Sequence, residues 1–143
     1  MANALEVAKA GLDAFNAHDE QRMRALYTDN AVLEAPGDAR MEGADACTEY
    51  AMVWLRAFPD ARCTVHNEVA SGDWAVLEFT FEGTHEDTLA GPAGEIPATH
   101  KHLAGRGIQT IRVEGDKIAQ ENLYFDQVQV LTQLGLMPEP ATA

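Results

Sequence analysis

An α+β domain, with helices packed on one curved face of a mostly antiparallel sheet, is what this sequence predicts. Apolar residues recur at helical spacing up to Pro59, and from Arg62 the period changes to two. Near the C-terminal end, two alternating runs frame a Gly-Asp turn, a strong short-range signal for a hairpin. At 143 residues, 46% of them apolar, the chain has the length and core material of one domain, expected to span residues 1–143. No internal repeat or linker divides it.

Leu5, Ala8, Leu12 and Phe15 share one face of a first helix that ends near Asn16-Ala17-His18. Asp19 suits an N-cap, and Glu20 the first turn, of a short second helix carrying Met23, Leu26 and Tyr27. Asp29-Asn30 reads as a turn, and residues 31–35 as a short strand stopped by Pro36-Gly37. A third helix starts around Gly43-Ala44-Asp45, lines one face with Ala46, Tyr50, Val53, Trp54 and Ala57, and stops at Pro59. Strands over 62–69 and 74–82 flank a turn at Ser71-Gly72-Asp73, with Ala75, Leu77, Phe79 and Phe81 forming an apolar face. Residues 83–97, rich in Gly, Pro, Thr and acid, read as a long surface loop. The hairpin follows, with strands over 107–113 and 118–125 around Glu114-Gly115-Asp116-Lys117. A last helix over 127–134 can be capped by Asp126 and stopped by Gly135, and the tail over 138–143 is expected to fray.

Charge narrows the partners. With 23 acidic against 10 basic side chains the formal charge is −13, which repels phosphate backbones and anionic membranes. Neither nucleic acid nor membrane is an expected partner, and no apolar run reaches the roughly 20 residues of a spanning helix. The start, Met1-Ala2-Asn3-Ala4-Leu5-Glu6, lacks the basic and apolar parts of a signal peptide. Cys47 and Cys63 show no metal-type spacing and read as two small buried thiols. A cytoplasmic protein is the expectation.

The chemistry concentrates in the hairpin. Gln109, Ile111 and Val113 share one strand face, opposite Thr110 and Arg112; Ala119, Glu121, Leu123 and Phe125 share another, opposite Gln120, Asn122 and Tyr124. Glu121 is thus a single carboxylate among apolar neighbours, where desolvation raises its pKa toward the range useful for proton exchange. The bland alternative is a structural glutamate bonded to the helices or reaching solvent. His100 and His102, one residue apart, could meet a metal from one strand face with His85 or Glu86. His102 could instead shuttle protons or sit exposed at a loop end, depending on whether Gly105 and Gly107 carry a bulge.

Particular stretches add a resemblance. They are Ala14-Phe15-Asn16, Leu26-Tyr27-Thr28-Asp29-Asn30-Ala31-Val32, Trp54-Leu55-Arg56-Ala57-Phe58-Pro59-Asp60, Gly83-Thr84-His85 and Pro97-Ala98-Thr99. The most specific are Arg112-Val113-Glu114-Gly115-Asp116-Lys117-Ile118, then Tyr124-Phe125-Asp126 and Leu131-Thr132-Gln133-Leu134-Gly135. In this order they resemble the SnoaL-like polyketide cyclases of the nuclear-transport-factor-2-like superfamily, over nearly the whole chain. The resemblance implies a cone-shaped barrel of curved sheet with the N-terminal helices on its concave face. It also implies a homodimer through the outer sheet face, no cofactor, no metal, and a hydrophobic small molecule held between helices and sheet. Family chemistry includes aldol ring closure, and relatives isomerise ketosteroids, open epoxides or only bind ligands.

Residue by residue, the chain departs from the motif. The cyclases' acid/base aspartate falls at Leu123, their neighbouring histidine at Gln109, and the ketosteroid isomerases' catalytic aspartate at Ala35. Glu121 lies one pleat before Leu123 and projects into the same implied cavity. Glu121 is therefore the expected general acid/base, with Gln109 orienting it or donating to a substrate carbonyl, and His102 as proton shuttle. Tyr50, Trp54, Phe79, Ile111, Leu123, Phe125 and Ala35 are the expected substrate wall, although the two helix aromatics could equally be plain core. The expected activity is cyclisation, isomerisation, hydration or epoxide opening on a hydrophobic, polyketide-like or small oxygen-bearing molecule; the alternative is a binding protein with the same pocket.

Overall fold

The computed structural model describes residues 3–91 and 94–137, so the tail expected to fray lies outside the described residues. Helix α1 (Ala4–Asn16) starts at Asn3, whose Oδ1 accepts from the Glu6 N–H at 2.9 Å while its own amide donates to Glu6 Oε1 at 3.1 Å, a reciprocal cap. Helix α2 (Glu20–Ala25) is capped by Asp19, which accepts from the Arg22 N–H at 3.1 Å. Strand β1 (Tyr27–Ala35) follows at once. Tyr27 was expected in the preceding helix and Asp29-Asn30 in a turn; both belong to the strand. The reason is long-range pairing, because the Ile118 N–H donates to Leu26 O at 2.6 Å and Tyr27 sits in register with Ile118.

The chain then folds back through Gly37 and Asp38, both at positive φ, into β2 (Ala39–Glu42), a strand the sequence did not announce. Arg40 ties it down by pairing with Glu34 at 2.9 Å and Glu42 at 3.0 Å. Helix α3 (Ala44–Ala57) leads to the hairpin of β3 (Arg62–Ser71) and β4 (Trp74–Thr84). The expected long loop instead carries a small strand pair, β5 (Leu89–Gly91) and β6 (Gly94–Ile96), with Leu89 and His85 buried. Strands β7 (His102–Glu114) and β8 (Lys117–Phe125) form the C-terminal hairpin about Gly115, whose φ of 61° suits glycine. Helix α4 (Gln127–Gln133) closes the described chain, capped by Asp126 on the N–H groups of Val128 and Gln129.

Six strands form one curved sheet in the order β2-β1-β8-β7-β4-β3, antiparallel throughout except where β1 runs parallel to β8. The expected curved, mostly antiparallel sheet with helices on its concave face is present, and its β2 and β3 edges leave it open instead of closed into a barrel. Helix α1 packs across β3 and β4, and α3 across β1. Two buried clusters result. One joins α1 and α3 to the middle strands through Ala8, Leu33, Leu77 and Ile111; the other gathers Leu55, Phe58, Leu103, Val130 and Leu134. The β4–β7 register runs without a shift from Trp74↔Arg112 to Thr84↔His102, so odd-numbered β7 residues face the helices along the whole strand. Between β7 and β8 the register shifts once, beside Val113 and Ile118, which lets Ile118 and Ala119 both be buried. Among the described residues, no helix is long and apolar enough to cross a membrane.

Candidate functional site

The helices and the concave sheet enclose a cavity of about 130 Å³. Its closed end is made by buried Tyr27, Leu33, Ile111, Ile118 and Glu121; exposed Arg106, Asp126 and Gln129 line its open side. Aromatic rings form much of the wall. Trp54 meets Phe81 and Phe125 edge-on, with ring centres 5.7 and 5.5 Å apart, and stacks on Phe58 behind them.

Glu121 stands in register between Leu33 of β1 and Ile111 of β7 and is 6% exposed. Its carboxyl group accepts two short hydrogen bonds, from the Tyr27 hydroxyl to Oε1 and from the Gln109 amide nitrogen to Oε2, both at 2.6 Å. Among the described residues no ion pair reaches it. Burial pushes its pKa above the ordinary 4.5, and the Tyr27 and Gln109 donors pull it partly back. Burial also raises Tyr27 well above the usual tyrosine range, and the Glu121 charge raises it further, so the phenol keeps its proton and serves as donor. The neighbouring Cys47 thiol is pushed up to about 11 by burial and by Glu121, so it stays neutral. A lone carboxyl group held by two neutral donors in an oily pocket can give and take protons nearer neutrality than an exposed one.

Of the residues singled out from sequence, Glu121, Gln109, Tyr50, Trp54, Phe79, Ile111, Leu123 and Phe125 all line this cavity. Two do not. His102 lies on the opposite face of the sheet, its ring 3.6 Å from Glu82 on the same face, because no bulge at Gly105 or Gly107 reverses the strand. Ala35 ends β1 in the core and lines no part of the cavity wall. His100 is exposed beside Glu86 at 3.3 Å. His85, expected in a solvated loop, is 0% exposed, accepts from the Thr99 backbone N–H at 3.2 Å and stacks on Phe58. Among the described residues no cluster of His, Cys, Asp or Glu is arranged to hold a metal. Cys47 and Cys63 are buried free thiols.

Tyr27, which bonds to Glu121 at the closed end of the cavity, is the residue that sequence reasoning missed. Alternation over Ala31, Leu33 and Ala35, all buried, marks the strand, but the exposed Asp29-Asn30 pair and an irregular pairing with β8 between Tyr27 and Val32 separate Tyr27 from that pattern. Leu33 completes the closed end by alternation along β1, and Ile118 through the β7–β8 register shift.

A family model described as SnoaL-like polyketide cyclase matches residues 5–134. Solved structures share the fold. A proposed SnoaL-like polyketide cyclase from Jannaschia sp. CCS1 superposes with a TM-score of 0.83 at 17% identity, covering 94% of this chain and 93% of that one. IdmH, a proposed polyketide cyclase from Streptomyces antibioticus, gives 0.76 at 24% identity over 91% and 96% of the two chains. An LEH-like epoxide hydrolase of M. tuberculosis gives 0.71 at 18% over 92% and 88%. No curated protein matches the chain by sequence.

Proposed function

The chain belongs to the SnoaL-like polyketide cyclase family, and from that premise we propose that it is a cofactor-independent acid/base enzyme acting on a hydrophobic, oxygen-bearing molecule. The observation that carries this is Glu121, a buried carboxyl group facing an apolar cavity and bonded only by neutral donors. In this role Glu121 removes a proton α to a carbonyl, or activates a water toward an epoxide, and returns the proton later. Tyr27 and Gln109 hold it in place. Aromatic walls exclude water and seat a flat substrate. Cyclisation, isomerisation and epoxide opening all draw on this one proton-transfer group.

Deuterium exchange α to the carbonyl of a simple cyclic ketone, followed by NMR, tests the base directly. The protein should accelerate exchange, with a rate that rises as Glu121 ionises. The second reading, a carrier that binds without turnover, is favoured by one observation: Leu123, at the place of the cyclases' aspartate, lines the cavity as plain hydrocarbon. A ketone that raises the melting temperature but exchanges no faster than in buffer would select it.

The outer sheet face suits a second copy of the chain. Tyr124 and Ile108 are in register there, 58% and 39% exposed, and form an apolar pair that a homodimer would cover. Sedimentation should give a dimer mass that Tyr124→Lys reduces to a monomer; a monomeric wild type at micromolar concentration contradicts this.

A further inference from the structure

Among the described residues, two buried side-chain polar atoms lack a hydrogen-bond partner, His85 Nε2 and Gln109 Oε1; of the two residues, Gln109 lines the cavity. Its amide nitrogen is committed to Glu121 Oε2 at 2.6 Å. That fixes the orientation chemically, because an ionised carboxylate only accepts and so holds the NH₂ side toward itself. The amide oxygen is then a buried acceptor without a donor, on a residue of the cavity wall, and a ligand that leaves it so binds at a penalty.

From this geometry we propose that the site selects a single hydroxylated six-membered ring, a phenol or enol, whose O–H donates to Gln109 Oε1. This rests on the assignment of the cavity as the reaction site and names its ligand class. Size agrees, since about 130 Å³ is close to the roughly 150 Å³ apolar hole known to take one benzene. Trp54, Phe79 and Phe125 supply flat walls for such a ring. Of the two roles expected from sequence, Gln109 takes the one that orients Glu121, and toward the ligand it accepts where donation to a carbonyl was the other expectation.

Protonation of Glu121 reverses the preference. A carboxylic acid can donate to Gln109 Oε1, which turns the amide over and presents its NH₂ to a ligand carbonyl. Other titratable groups facing Glu121 are Tyr27 from β1 and Cys47 and Tyr50 from α3, while Arg106 and Asp126 line the cavity's open side. Tyr27, Cys47 and Tyr50 all have raised pKa values and stay protonated, so the reversal follows the Glu121 proton. One site thereby distinguishes the enol and keto forms of the same ring.

Calorimetric titration with phenol, anisole and cyclohexanone tests this on the intact protein. With Glu121 ionised, phenol should bind at least about tenfold more tightly than anisole. Gln109→Met should abolish that preference, so that phenol and anisole bind alike whatever their common affinity. Acidification through the Glu121 titration should narrow the preference and strengthen cyclohexanone. Equal affinity for phenol and anisole in the wild type, a preference that survives Gln109→Met, or no binding of any of the three overturns the proposal. A phenol preference without ketone exchange would remove the acid/base assignment alone; exchange without a phenol preference would remove only this inference.

Discussion

Glu121→Gln is expected to slow α-deuterium exchange by about a hundred- to ten-thousand-fold, the usual contribution of a positioned general base. Glutamine keeps the shape and can still bond to Tyr27 and Gln109, but it cannot carry the proton. The same change should stabilise the fold, with a definite pH dependence. Burial raises the folded pKa of Glu121 above its unfolded value, so the folded state holds the proton more tightly. Below the unfolded pKa both states are protonated, and the buried carboxyl group carries no charge penalty. As pH rises through the window up to the folded pKa, the wild type loses stability that the glutamine variant retains. Denaturant unfolding across pH should therefore show a variant advantage that grows above pH 4.5 and levels off beyond the folded pKa. An unchanged exchange rate in the folded variant would take Glu121 out of the chemistry.

Tyr27→Phe is the second large effect. It deletes the 2.6 Å bond to Glu121 Oε1 and leaves that oxygen in an apolar enclosure. Removing a partner from a buried charged acceptor costs about 1–3 kcal/mol or more, so the fold should weaken most where Glu121 is ionised. The Tyr27 bond is also one of the two influences that lower the Glu121 pKa. Its loss widens the gap between folded and unfolded pKa values, so the loss of stability with rising pH spreads over a broader window. The rising limb of the pH–exchange profile should move to higher pH, a shift that a purely structural contact would not produce. A limb that stays in place would show that Tyr27 does not tune the carboxyl group.

The hairpin and the face of each of its strands were legible because alternation within a strand and a two-residue turn between strands are both local signals. Alternation grouped Gln109 with Ile111, and Glu121 with Leu123 and Phe125, but it is the register shift beside Val113 and Ile118 that puts the two groups on one surface, which only the family resemblance had implied. His102 was misplaced because Gly105 and Gly107 suggested a bulge, whereas Gly107 serves a close approach. A Cβ there would lie 2.8 Å from the Phe79 ring, which packs across the strand to line the cavity. Tyr27 was hidden by helical spacing with Met23 and Leu26, and its strand conformation comes from pairing with Ile118, 91 positions away along the chain by subtraction of their numbers. Strand β2 and the β5–β6 pair are too short for periodicity to register, and both exist through hydrogen bonds to a neighbouring strand. His85 is buried despite its acidic neighbours, because its backbone bonds to His100 and Lys101 and its ring stacks on Phe58, contacts that composition cannot show.

The most direct test of the proton chemistry is an NMR titration of the Glu121 side-chain carboxyl carbon, assigned by its absence in Glu121→Gln. A midpoint above 4.5, moving higher again in Tyr27→Phe, is the predicted result. A midpoint at or below 4.5 would contradict it, since the two donors would then outweigh burial and leave a carboxylate too weakly basic for the role.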